Sequence, residues 1–312
     1  MRTAIKAYSI HELGQRSNQE DCIWPEGSNP KGDLFILCDG MGGHEKGEVA
    51  SRTVCEAMSS YIGSHTVEDG YFTEDMFKAA LSYALDELDK LDDGAEKKMG
   101  TTMTFLKFHR GGCLAAHIGD SRIYHIRPAD RRSESGGILF RTRDHSLVND
   151  LVELGYLTPE QALTDRRKNI ITRAIQPNLE RRPEADIKQI SDIKSGDWFY
   201  ICSDGMLEQA EDKEIVNILS MRRKDSQKVG IFRTLTENNN DNHSAFLIHV
   251  TGVQKEESDT PVMETTDAGD KERKGQAAIW ESPSLLKVLI LAMACIVFIG
   301  ISLYLCKKFS IF

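Results

Sequence analysis

The sequence predicts an α+β domain of packed antiparallel sheets with helices on their outer faces, followed by one transmembrane helix. Three observations predict it. Six short apolar runs are separated by turn residues. Two longer stretches place apolar residues at steps of three and four. One 19-residue run, VLILAMACIVFIGISLYLC (288–306), carries no charge at all.

The helices come from the 3.6-residue period. Val49, Val54, Ala57, Met58, Tyr61 and Ile62 mark one. Phe77, Ala80, Leu81, Ala84, Leu85, Leu88 and Leu91 mark a second. A third starts near Ser146, covers SLVNDLVELG and stops at Gly155. The strand-like runs are 34–38 (LFILC), 102–108, 113–118, 121–126, 198–202 (WFYIC) and 245–250. HRGG at 109–112 reads as a hairpin turn, and Gly119-Asp120 as another tight turn. Hairpins imply antiparallel pairing, and long helices next to one another do not fit regular βαβ alternation.

Composition narrows the class of function. Lys and Arg number 39 against 48 Asp and Glu, a net charge of −9, which argues against a nucleic-acid binder that relies on phosphate neutralisation. The seven cysteines (22, 38, 55, 113, 202, 295 and 306) contain no Cys-x-x-Cys, and no N-terminal signal sequence is visible. A reducing compartment is expected rather than a disulfide framework or a zinc ribbon.

Four segments follow from the same reading. Residues 1–253 form the catalytic domain. Residues 254–284 carry four basic and eight acidic residues and almost no large apolar groups, as a flexible charged linker does. Residues 285–306 are long enough to cross a hydrocarbon core of ~30 Å, with Trp280, Lys287, Tyr304, Lys307 and Lys308 at the two edges. Residues 307–312 are a short basic tail. Lys271, Arg273, Lys274 and Lys287 precede the span and Lys307 and Lys308 follow it, a bias toward a domain on the cytoplasmic side. The expectation is a single-pass membrane protein with a C-terminal anchor and its catalytic domain facing the cytoplasm.

The chemistry is carried by carboxylates at strand ends. LFILC runs into Asp39-Gly40, WFYIC-Ser203 into Asp204-Gly205, and CLAAHI-Gly119 into Asp120. Asp241 stands just before the strand AFLIHV, and Glu20-Asp21 just before Cys22-Ile23-Trp24. Any one of these pieces is an ordinary turn. Together they would repel one another unless cations neutralise them, and hard divalent ions such as Mg²⁺ or Mn²⁺ suit oxygen ligands of this kind. Arg16 offers a planar fork for phosphate oxygens. His117, His125 and His249 lie in predicted strands and read as structural.

Arg16-Ser-Asn-Gln-Glu-Asp21, Asp39-Gly-Met-Gly-Gly-His44, Gly100-Thr-Thr102, Gly119-Asp-Ser-Arg122, Ser203-Asp-Gly205 and Asp241-Asn242 occur in this order. Over roughly residues 5–252 they resemble the metal-dependent serine/threonine protein phosphatases of type 2C (the PPM family), in the bacterial style. Residues 144–176 look like the flap of bacterial members and the segment after it.

The resemblance implies a four-layer α-β-β-α sandwich and hydrolysis of phosphoserine or phosphothreonine by a water bridging two divalent metals. It implies Asp39 as bridging ligand, with Asp204 and Asp241 completing one site. Glu20, Asp21 and the Gly40 carbonyl serve the other. Asp120 joins Asp204 at a third, so two or three Mn²⁺ or Mg²⁺ ions are expected. The catalytic set is then Asp39, Asp21 and Arg16, with Arg16 binding phosphate. The partners it implies are phosphorylated Ser/Thr proteins and a cognate Ser/Thr kinase with its substrates.

Two departures from the family pattern stand out. Where animal members carry a proposed general acid, this chain has Met41, so the candidates for protonating the leaving alkoxide are His44 and a metal-bound water. Glu208 stands where many relatives have Asp. The competing readings are a catalytically weak phosphoprotein-binding relative and a metal-dependent hydrolase of small phosphates.

Overall fold

The computed structural model describes residues 2–42, 46–65, 70–92, 94, 98–129 and 137–254. In chain order they form β1 (Arg2–Glu12), β2 (Asp21–Trp24), β3 (Leu34–Met41), α1 (Lys46–Ser64), α2 (Glu74–Asp89), β4 (Gly100–Thr101), β5 (Met103–His109) and β6 (Gly112–Ile118). Then come β7 (Arg122–Arg127), β8 (Gly137–Arg141), α3 (Leu147–Glu153), α4 (Pro159–Thr164), β9 (Asp186–Ile190) and β10 (Trp198–Cys202). The series ends with α5 (Asp212–Ser220), α6 (Asp225–Thr236) and β11 (His243–Gln254).

Two sheets result, in the orders β1-β11-β10-β7-β8 and β2-β3-β5-β6-β9, with β4 attached to β3. Every ladder within them is antiparallel. Side-chain alternation explains the uninterrupted apolar runs. Along β3, Phe35 and Leu37 face the second sheet, while Leu34, Ile36 and Cys38 face α1 and α2. Along β10, Phe199 and Ile201 face inward, while Trp198, Tyr200 and Cys202 face α5 and α6. Both faces of these strands are covered along 34–38 and 198–202, and these runs carry no charge.

The layers are thus helix, sheet, sheet and helix. Phe35 meets Phe246 across the inter-sheet core with ring centroids 5.3 Å apart, and Phe108 meets Phe199 at 5.2 Å, both edge-on.

The helices near 49–62 and 77–91 appear as α1 and α2. Thr73 caps α2 by accepting from the Met76 N–H. Val49 and Leu91 point to solvent rather than to the core. Ser146 is the N-cap of α3, and Gly155 follows its end with φ +75.

One turn differs from expectation. The hairpin at 109–112 joins β5 to β6, but Gly119-Asp120 links β6 of one sheet to β7 of the other. It is a crossover between layers, and this carries Asp120 toward the edge where both sheets end. Gln254, read as the first linker residue, is the last of β11; the rest of the linker, the segment 285–306 and the tail lie outside the described residues, as does His44. Among the described residues no helix is long and apolar enough to cross a membrane.

Candidate active site

The carboxylates meet where one end of each sheet converges. Asp21, the first residue of β2, is the cross-strand partner of Asp39 in β3. Asp204 follows β10 and opens a 3₁₀ turn, Asp204–Glu208. Asp241 immediately precedes β11 through Asn242, and Asp120 comes from the sheet-to-sheet crossover.

Each is held through its backbone or its neighbours. The Asp39 N–H donates to Thr102 Oγ1 at 3.0 Å, and its carbonyl accepts from the Thr102 N–H at 2.8 Å and from Thr101 Oγ1 at 2.9 Å. Thr102 Oγ1 is also 2.8 Å from Ser121 Oγ, which ties this strand to the Asp120 turn. Ser203 donates to Asp21 Oδ2 at 2.9 Å.

Asn242 uses its whole amide. Oδ1 accepts from the Glu20 N–H at 2.8 Å, and Nδ2 donates to the Leu13 and Asn18 carbonyls at 2.8 and 3.0 Å. It therefore fastens the loop bearing Arg16 and Glu20 to the residue after Asp241. The glycines allow close approach of backbone. A Cβ on Gly40 would lie 2.2 Å from the Gly47 carbonyl oxygen, and one on Gly205 would lie 2.0 Å from that of Asn242.

The electrostatics are those of crowded, buried negative charge. Burial, more than anything else, pushes Asp21 up to about 7, with the charges of Asp204 and Asp241 adding and bonds from Ser244 and Ser203 opposing. Asp120 is also pushed up to about 7, by burial and then by the Asp204 and Asp144 carboxylates. Asp39 rises well above the carboxylate range through burial and then the charges of Asp21, Asp204 and Asp120. Burial and the Asp241 charge raise Asp204. Asp120 Oδ1 is buried with no hydrogen-bond partner among the described residues. A buried acceptor in such company fits a cation.

Arg16 is more than half exposed and donates to Asp241 Oδ2 at 2.7 Å. Glu208 is exposed, and its carboxylate accepts from the Asn240 N–H at 3.0 Å, so it shapes the loop leading to Asp241. A cavity of ≈ 620 Å³ between β2 and α1 shares Asp21 with the cluster, but Asp39, Asp120, Asp204 and Asp241 do not line it.

The buried strand cysteines are unsuited to act as nucleophiles. Cys38, Cys113 and Cys202 are buried free thiols in strands, and burial raises each of them.

Sequence reasoning placed the five aspartates here but assigned no role to Thr101, Thr102, Ser203 or Asn242. The motifs Gly100-Thr-Thr102, Ser203-Asp-Gly205 and Asp241-Asn242 contained them. What they do depends on partners up to 229 positions away.

Known proteins share this fold. The profile of the family described as Protein phosphatase 2C matches residues 11–246. A putative protein phosphatase 2C-type of Streptococcus pyogenes is 34% identical over 214 residues, covering 68% of this chain and 82% of the relative. The structure of the serine/threonine phosphatase Stp1 from Staphylococcus aureus superposes with a TM-score of 0.65 at 28% identity, over 80% of this chain and 96% of that one. The catalytic domain of the serine threonine protein phosphatase PstP, solved with two manganese ions, superposes with a TM-score of 0.62 at 26% identity, over 79% and 98%. With the two sheets, the flanking helices and the carboxylates at their converging ends, this profile match makes the chain a member of the protein phosphatase 2C family.

Proposed function

We propose that the chain is a metal-dependent serine/threonine protein phosphatase that removes phosphate from phosphoserine and phosphothreonine in proteins. The observation that carries this is the buried cluster of Asp21, Asp39, Asp120 and Asp204, whose carboxylates are raised together by burial and mutual repulsion, with Arg16 acting on Asp204 and Arg122 on Asp120. The PstP relative, solved with two manganese ions, supports divalent metals as the balancing charge. Asp39, Asp204 and Asp241 would hold one ion. Asp39, Glu20, Asp21 and the Gly40 carbonyl would hold another, and Asp120 with Asp204 a third. Bound divalent ions supply Lewis acidity toward water and toward the phosphoryl oxygens.

The chain's own residues supply position and charge. Thr101 and Thr102 fix the Asp39 backbone, Ser203 orients Asp21, and Asn242 sets the height of the Arg16–Glu20 loop. Arg16 is a planar donor on the exposed side of the cluster, free to exchange the Asp241 carboxylate for a phosphoryl group. His44 is a candidate to protonate the leaving alkoxide. The direct test is release of phosphate from a phosphothreonine peptide, with a nucleotide as rival substrate. Faster turnover of the nucleotide would favour the small-phosphate reading.

Arg16→Ala is expected to raise KM roughly tenfold, the loss of one charge-assisted bond, with a smaller fall in kcat. Metal affinity should not fall, because Asp241 loses a competing cation. Steady-state kinetics with calorimetric Mn²⁺ titration checks both. Weaker metal binding at unchanged KM would contradict the role.

The same reading places the protein at a membrane. The uncharged run 288–306 is long enough to span ~30 Å, and the excess of Lys and Arg before it supports a cytoplasm-facing domain acting against a Ser/Thr kinase. The full chain is expected to stay with membranes through an alkaline carbonate wash. Its domain should be digested by protease added to cytoplasmic-side-out vesicles. Release by carbonate would refute the span, and protection in those vesicles would refute the orientation.

A further inference from the structure

Away from the carboxylate cluster, His117, which the sequence reads as structural, converges with His145 and Asp186. His117 in β6 is the cross-strand partner of Asp186 in β9. His145, in the connection between β8 and α3, stacks on His117 with ring centroids 4.4 Å apart and planes 15° apart. One ligating atom from each of the three lies within 4.8 Å of the others. His125 and His249 have ordinary partners, Asp197 at 2.8 Å and Asp225 at 3.1 Å.

His145 is 7% exposed, and its Nε2 is buried without a hydrogen-bond partner among the described residues. Asp186 Oδ2 lies 3.3 Å from that nitrogen but is not aligned to accept from it. A separation of that size is what two ligands at about 2.0–2.1 Å span around a tetrahedral ion, roughly 3.3 Å. His117 Nε2 donates to the Arg143 carbonyl at 2.8 Å, which makes Nδ1 the ring nitrogen that bears a lone pair. Arg173 holds Asp186 through Oδ1 at 2.7 Å, so Oδ2 remains available.

We propose that His117, His145 and Asp186 form a second metal site, separate from the carboxylate cluster, which takes a zinc-class transition ion and slows the phosphatase when filled. Two imidazoles and one carboxylate suit Zn²⁺ or Co²⁺ better than Mg²⁺. Burial keeps both imidazoles from protonating near neutral pH, so protons do not compete there. Asp186 is exposed, which leaves an entry path and an open fourth position.

The link to turnover is a proton. The Gly119 N–H donates to His145 Nδ1 at 3.0 Å, and the His145 N–H donates back to the Gly119 carbonyl at 2.9 Å. Neutral His145 therefore carries its proton on Nε2. A metal at Nε2 needs that lone pair, so the proton moves to Nδ1 through solvent, with no net release. Nδ1–H then faces the Gly119 N–H, donor against donor. The turn Gly119-Asp120-Ser121 must shift, and Asp120 with it. This rearrangement makes the site weaker than an unstrained one of the same ligands.

The test is zinc titration of the full chain in millimolar Mn²⁺, which keeps the carboxylate cluster filled. One saturable Zn²⁺ equivalent is expected, and Co²⁺ in its place should show the intense visible band of four-coordinate cobalt. Asp186→Asn should weaken zinc roughly tenfold or more and abolish zinc inhibition while leaving basal activity unchanged. Arg173→Gln, which removes the cation beside Asp186, should tighten zinc. His117→Ala should behave like Asp186→Asn, and the exposed Asp186 variant decides the matter if buried His117→Ala does not fold. Equal zinc affinity in wild type and Asp186→Asn, or no saturable zinc in excess Mn²⁺, would overturn the site. Zinc binding as expected with no effect on turnover would overturn the link through Gly119.

Discussion

Asp39→Asn is expected to lower kcat on the order of 10³-fold or more, about 4 kcal/mol of transition-state stabilisation. The change is nearly isosteric, and the bonds that place residue 39 run through its backbone to Thr101 and Thr102. The fold should therefore persist. What is lost is a charge that interacts with Asp21, Asp204 and Asp120 at once, at the centre of the cluster. Asp204→Asn should follow closely in severity, since Asp204 interacts with Asp21, Asp39, Asp120 and Asp241. Calorimetry should show Mn²⁺ affinity falling in step with turnover. A variant that kept near wild-type kcat would show that Asp39 is not the residue on which the ions depend.

The parts of this fold that can be read from sequence are those where burial is two-sided. LFILC, WFYIC and AFLIHV are apolar at every step or nearly so, because β3, β10 and β11 are covered by a sheet on one face and helices on the other. β1 and β9 escaped the reading for the opposite reason. Both are edge strands, and RTAIKAYSIHE and DIKQI alternate with polar residues that face solvent. Their pairing rests on backbone ladders that leave no compositional mark.

Helix α6 was hidden by Lys228, which is buried with its ammonium 4.6 Å over the Trp198 ring and donating to the Leu219 carbonyl. No local pattern reveals an interior lysine of this kind. The site divides in the same way. Aspartates at strand ends are conspicuous, while the amide of Asn242 and the hydroxyls of Thr102 and Ser203 acquire a role only when distant strands meet. The pairing of His117 with Asp186 is likewise a consequence of register between β6 and β9.

The metal-free protein is expected to lose stability as pH rises from about 6.5 to 8, and divalent metal should remove that loss. Asp21 and Asp120 titrate near about 7 in the fold, and Asp39 well above the ordinary carboxylate range, against ~3.9 in the unfolded chain. A raised pKa means that the folded chain holds protons the unfolded chain has already released. The stability this contributes is present at low pH and disappears as pH climbs through the folded values.

Histidines work in the other direction. His145 is held near about 4, and His11, His109 and His117 are also lowered, so they add stability as pH rises toward 6.5. Above 6.5 the unfolded histidines are largely neutral too, and the carboxylates alone set the slope. One proton retained across that range amounts to roughly 1–2 kcal/mol, a fall in Tm of several degrees. Bound Mn²⁺ favours the ionised carboxylates and adds stability that grows with its concentration. Thermal melts in chelator and in Mn²⁺ should therefore diverge with rising pH. In Asp39→Asn the metal-free curve should lie higher and flatter, because one buried charge and its repulsions are gone. Parallel wild-type curves with and without metal would mean that the carboxylates are already ionised and balanced in the bare fold.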